Sequence, residues 1–106
     1  MILALIEHDR GIISPYCLQL LTYAHKLAGG DSTNVKAVVI GQNVQALTSE
    51  LSKYSPDEII LIEDERLENF IAEAWAECII QLAEAKEPLI IMAAATDKGN
   101  EVLAHI

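Results

Sequence analysis

Four short apolar runs, at residues 2–6, 35–40, 59–62 and 89–93, alternate with segments of helical spacing, and this order narrows the possible folds sharply. Each run is continuous rather than alternating, as strands covered on both faces read. Strand and helix in strict succession, joined by right-handed crossovers, make a doubly wound parallel sheet of α/β class. The strand order taken for it is 3-2-1-4.

The helical segments carry their own boundaries. Ser14 reads as an N-cap with Pro15 at the first helical position, and Cys17, Leu20, Leu21, Ala24, Leu27 and Ala28 form one stripe. Gly29-Gly30-Asp31-Ser32 then reads as the turn closing that helix rather than a phosphate loop, since it precedes a strand instead of following one. Asn43 reads as the cap of a second, weaker helix with Val44, Leu47 and Leu51 inward. The third stripe is the strongest: Leu67, Phe70, Ile71, Ala74, Trp75, Cys78, Ile79 and Leu82 predict a helix of more than four turns to about Lys86, with Phe70 and Trp75 in the core.

Size and charge exclude several classes. A chain of 106 residues holds one domain, 1–106, and buries roughly 60 to 70% of its unfolded surface. Seven basic against sixteen acidic residues give a net charge of −9, with no basic cluster, which argues against nucleic acid and acidic lipid surfaces as partners. No apolar run reaches the length of a membrane span. Cys17 and Cys78 fall on apolar helix faces and read as buried reduced thiols, and the strand that starts at Ile2 leaves no targeting segment, so the expected location is cytoplasmic.

Ligands of open α/β sheets bind outside the carboxyl ends of the strands, where strand order reverses. Four turns lie at those ends: 7–11, 41–43, 63–65 and 94–99. With order 3-2-1-4 the first and last flank the crevice. Thr96 as an N-cap, Lys98 as a cation and Gly99 suit an anion there, although Thr96 as a plain cap and Gly99 as a close-packing position explain the same residues. Glu7, His8 and Asp9 resemble an acid/base cluster, yet neighbours in an extended segment point apart, and His8 reads as a surface hydrogen-bonding group. His25 and His105 have no partners at metal-ligand spacing, so no metal site is expected. Glycine-rich phosphate fingerprints and nucleophile elbows are absent from the sequence, and no catalytic residue emerges.

Taken in order, these segments resemble a known family. ILALIEHDRGIISPYCLQLLTYAHKL resembles the start of electron transfer flavoprotein alpha subunits: a strand, Glu-His, a glycine, then Ser-Pro opening a helix. VKAVVIGQN, LSKYSPDEIILIED and AAATDKGNEVLAHI resemble the family's later segments, over essentially the whole chain. Two departures fall at one turn: Ala94 stands where the family has glycine, and Asn100 where it has Arg or Lys.

The resemblance implies an adenine nucleotide alpha hydrolase-like (Rossmann-like) fold and an amino-terminal domain that serves as scaffold and subunit contact. It implies a beta subunit as partner, flavoprotein dehydrogenases as electron donors to the full complex, and FAD held by a later domain, so that no cofactor is expected on this chain alone and the protein is an electron carrier component rather than an enzyme. Because the unit beginning near Asp97 stops at Ile106, a partial domain and self-association of the exposed sheet edge are expected. The alternative reading is a free-standing nucleotide-binding module similar to universal stress proteins, which lacks its glycine-rich loop after the fourth strand. An acid/base enzyme using His8 and Asp9 rests on composition alone.

Overall fold

The computed structural model describes residues 1–29 and 35–106, so the turn at Gly30, Asp31 and Ser32 lies outside the described residues. The four apolar runs are strands β1 (Ile2–Ile6), β4 (Val35–Gly41), β5 (Glu58–Glu63) and β6 (Ile90–Met92), all parallel, in the order β5-β4-β1-β6. In chain order of these four the sheet reads 3-2-1-4. Two short strands, β2 (His8–Asp9) and β3 (Ile12–Ile13), form a separate antiparallel hairpin after β1. The α-helices among the described residues are α1 (Pro15–Leu27), α2 (Thr48–Ser52), α3 (Ala72–Lys86) and α4 (Asp97–Ala104).

Alternation along the central strands builds the three layers. Ile2, Ala4 and Ile6 of β1, with Val35, Ala37 and Val39 of β4, pack against Cys17, Leu21 and Ala24 of α1 and Leu51 of α2. Leu3 and Leu5, with Val38 and Ile40, pack on the other face against Trp75, Ala76 and Ile79 of α3 and Val102 of α4. Ala4 pairs with Ala37 in register, and two neighbouring small residues let α1 sit close to the sheet. Each fully buried Leu or Ile stabilises the fold by roughly 2 kcal/mol relative to exposure.

Coverage on both faces holds for β1 and β4, whose residues are buried except for Lys36. It fails for β5 and β6, where no residue is fully buried. They are the sheet's edges. The β5 edge is dressed with charge, as Lys36 pairs with Asp57 at 3.0 Å and Glu58 at 3.5 Å, and Lys86 reaches Glu58 at 3.8 Å. The β6 edge has no charged residue and exposes Leu89 almost completely.

Several helix boundaries differ from the sequence expectation. The third helix starts at Ala72 rather than near Leu67, because Asp64 accepts from the Arg66 N–H and closes a 3-10 turn over Glu65–Leu67, while Ile71 is extended. Leu67 and Phe70 still pack on the same core from outside the helix. Asn43 makes no side-chain cap; it sits left-handed at φ 57, and the Val44 N–H is taken at 3.1 Å by the Glu63 carboxylate. The second helix is split into a 3-10 segment, Val44–Leu47, and α2, with Val44, Leu47 and Leu51 buried. Ser14 precedes α1 without a side-chain cap, and Leu27 is exposed. Gly29, left-handed at φ 71, follows the end of α1. Among the described residues no helix is long and apolar enough to cross a membrane.

Candidate functional site

Strand order reverses at β1, which runs to β4 on one side and has β6 on the other, so the switch-point crevice opens beyond the carboxyl ends of β1 and β6. A cavity of about 360 Å³ lies there, lined by Glu7, His8, Asp9, Tyr16, Thr96 and Lys98 among others. His8, Thr96 and Lys98, singled out from sequence, meet there while Gly99 does not line it, and most of these residues are engaged with the protein itself.

Thr96 caps α4, its Oγ1 accepting from the Gly99 N–H at 3.0 Å. The same hydroxyl donates to the Glu7 carboxylate, 2.8 and 2.7 Å from its two oxygens. Glu7 is only 7% exposed and follows directly on β1, so the bond ties the end of that strand to the start of a helix 89 residues away. Gly99 is buried under the 94–96 turn, where any Cβ would collide with the carbonyl oxygen of Ala94. The Lys98 ammonium rests 5.2 Å above the centroid of the Phe70 ring.

His8 takes a different direction from Glu7. Its Nε2 lies 2.7 Å from the Ile40 carbonyl oxygen, and since a carbonyl only accepts, Nε2 carries the proton. The ring stacks on Trp75 with centroids 5.9 Å apart. A Cβ at Gly41 would come within 2.9 Å of His8 Cε1, so glycine there makes room for the imidazole. Asp9 is exposed on the hairpin, whose two-residue loop, Arg10 and Gly11, has φ 52 and 78 as tight hairpins require. Glu7, His8 and Asp9 therefore do not converge on one substrate atom. The sequence also gave no hint of the His8–Trp75 stack or the Glu7–Thr96 bond, both of which join distant segments.

A second, open cleft lies beyond β4 and β5, lined by Asn43, Gln45, Glu63, Asp64 and Arg66 with a volume of about 730 Å³. Glu63 accepts from the Val44 N–H on one oxygen and from Gln45 Nε2 on the other, the latter at 3.0 Å. Arg66 binds Asp64 through Nε at 3.0 Å and through a second nitrogen at 2.9 Å, and these bonds hold the Asp64 carboxyl down at about 2. The folded carboxyl is more acidic than the unfolded one, so the contact favours folding above the unfolded value near 4 and fades as pH falls through about 2. NMR titration should place the Asp64 midpoint near pH 2, and Arg66→Ala, which removes the guanidinium bonds but keeps the N–H of residue 66 on Asp64, should raise it toward 4. An unchanged midpoint in that variant would contradict the pairing.

The two cysteines lie on opposite faces of the sheet, both free, so a disulfide between them is ruled out by the layers. Cys17 is buried beneath the Glu7 N–H, which donates to its sulfur at 3.1 Å, and burial pushes its thiol up to about 11. Cys78 is half-buried rather than buried, and burial raises its thiol as well. Alkylation at pH 8 followed by mass spectrometry should label Cys78 slowly and Cys17 only after unfolding. Labelling of Cys17 in the native chain would show that α1 opens.

Among the described residues no cluster of three His, Cys, Asp or Glu side chains is arranged to hold a metal ion. A three-layer sheet of this order, with its crevice at a switch point and helices on both faces, defines a Rossmann-like α/β module. The family model "Electron transfer flavoprotein domain" matches residues 2–106. The chain belongs to that family, as a domain of the alpha-subunit type. It is 31% identical over 100 residues to the electron transfer flavoprotein subunit alpha of Thermoanaerobacterium thermosaccharolyticum, covering 94% of this chain and 30% of that protein. It is 27% identical over 101 residues to the lactate dehydrogenase (NAD(+),ferredoxin) subunit LctC of Acetobacterium woodii, covering 95% and 24%. The mitochondrial alpha subunit of Arabidopsis thaliana is 23% identical over 106 residues, covering 98% and 29%. The chain thus spans less than a third of the length of each of these relatives.

Proposed function

We propose that this chain is the amino-terminal part of an electron transfer flavoprotein alpha subunit and acts as scaffold and subunit contact rather than as a catalyst. The single observation that carries this reading is the match of the family model across residues 2–106, with relatives named as alpha subunits along nearly the whole chain. In this reading the partner is the electron transfer flavoprotein beta subunit, the complex takes electrons from flavoprotein dehydrogenases, and the location is cytoplasmic.

FAD belongs to the whole carrier, and the residues described here do not fit it. A dinucleotide needs a turn of free backbone N–H groups for its pyrophosphate, and the start of α4 already faces the Glu7 carboxylate through Thr96. The same geometry weighs against a free-standing nucleotide module. The absorption spectrum of the purified chain after incubation with FAD and gel filtration tests this: no flavin bands are expected, and a stoichiometric flavin spectrum would overturn it.

The uncharged β6 edge, with Ile90 exposed on it and Leu89 exposed just before it, leads the isolated chain to associate with itself. Light scattering should report a species larger than the monomer, reverting toward monomer in Leu89→Lys. A monodisperse monomer of the unaltered chain would contradict this.

A further inference from the structure

We propose that Glu7 is a built-in anion: its carboxylate holds the position at the start of α4 that a phosphate or carboxylate ligand would take, and so closes the switch-point crevice to anionic ligands. The inference concerns the chemistry of the crevice and stands whether or not the chain acts as a subunit contact.

A helix start attracts an anion because its first N–H groups lack partners and its dipole is positive there. In this chain an anion is already present. Glu7 is 93% withdrawn from solvent, being 7% exposed, and its carboxylate lies against the hydroxyl that caps α4. A hydroxyl has one hydrogen, so Thr96 donates to one Glu7 oxygen at a time while its own oxygen receives the Gly99 N–H. The chain of bonds runs Gly99 N–H to Thr96 to Glu7, and the positive end of α4 is met by an internal negative charge.

A buried carboxylate is tolerated only where donors and positive potential compensate its lost hydration. Thr96 and the α4 start supply both. An external phosphate beside Thr96 would find that hydroxyl already donating to Glu7 and a like charge next to it. Lys98, the one Lys or Arg among the described residues lining the crevice, lies over the Phe70 ring and lines the cavity together with Asp9 as well as Glu7. Neither sequence spacing nor the helix start alone reveals this, since Glu7 and Thr96 are 89 residues apart.

The test uses inorganic phosphate as the probe, with calorimetry and with NMR of the Gly99 and Asn100 amides. Native protein should show no saturable binding at millimolar phosphate and no shift of those amides. Glu7→Gln keeps the shape of the side chain, retains an acceptor for Thr96 and removes the charge, and should bind phosphate at least tenfold more tightly than native protein. Glu84→Gln on the exposed face of α3 removes the same charge elsewhere and should leave phosphate binding unchanged. Saturable binding by native protein with movement of the Gly99 amide would overturn the proposal. So would a folded Glu7→Gln variant that behaves like native protein. If Glu7→Gln does not fold, Glu7→Met, which fills similar space without the charge, takes its place with the same two outcomes.

Discussion

Gly99→Ala is expected to destabilise the fold by about 3 kcal/mol, although alanine is the better helix former. Propensity alone would favour alanine by about 1 kcal/mol. The collision reverses the sign, because the added Cβ meets the carbonyl oxygen of Ala94, which is backbone and cannot rotate aside. That carbonyl also accepts from the Thr96 N–H at 2.8 Å, and Ala94 itself is buried in the core. Relief therefore requires the 94–96 turn to move, and with it the cap of α4. Urea unfolding should show the loss, and the melting temperature should fall by more than about 10 °C. Gly11→Ala offers the contrast: nothing lies within 4 Å of its added Cβ, and only its φ of 78 opposes the change, so about 1 kcal/mol is expected. Equal costs at the two positions would show that the Ala94 contact carries no energy.

Thr96→Val should cost a similar amount, about 3 kcal/mol, for an electrostatic reason. Valine keeps the shape and removes the hydroxyl. The Gly99 N–H then loses its cap, worth about 1 kcal/mol. Glu7 loses the donor at 2.7 Å while remaining withdrawn from solvent, and a buried carboxylate left without its partner accounts for the remaining loss. The two residues should therefore be coupled. Thr96→Val introduced into a Glu7→Gln background should cost less than it does alone, with a coupling energy of about 1 to 2 kcal/mol from a double-mutant cycle. Strict additivity would mean that the Glu7–Thr96 contact contributes nothing.

Hydrophobic continuity made the central strands legible, because Ile2–Ile6 is wholly apolar and the 35–40 run is apolar but for Lys36, and apart from that lysine both are buried on both faces. The edge strands read the same way and yet are half-exposed, since an apolar run reports where a chain would pack and not whether a neighbour exists. The third helix shows a related limit. Leu67 and Phe70 extend the stripe of α3 and share its core, but Asp64 closes a 3-10 turn before them and Ile71 is extended. Periodicity records which side is buried; hydrogen bonds decide where the helix begins.

The crevice was legible in outline and not in detail. Turn positions in an α/β sheet brought Thr96, Lys98, Gly99 and His8 to the same end of the sheet from sequence alone. Their partners were not legible. Glu7 reaches Thr96, His8 reaches Ile40 and Trp75, and Lys98 reaches Phe70 only after the sheet has formed. Local spacing contains no term for contacts of this range. The hairpin after β1 is a further local feature outside the sequence expectation, and Gly11 at the second position of a two-residue loop is its signal.

A structural role predicts that this chain recognises its partner through surface alone, with no cofactor of its own. The measurement that tests this most directly is titration of the purified chain with the electron transfer flavoprotein beta subunit from the same organism, without added FAD, followed by calorimetry and light scattering. A saturable one-to-one complex is the predicted result. No complex with the folded chain, at concentrations where a longer alpha subunit from that organism binds, would contradict the contact role.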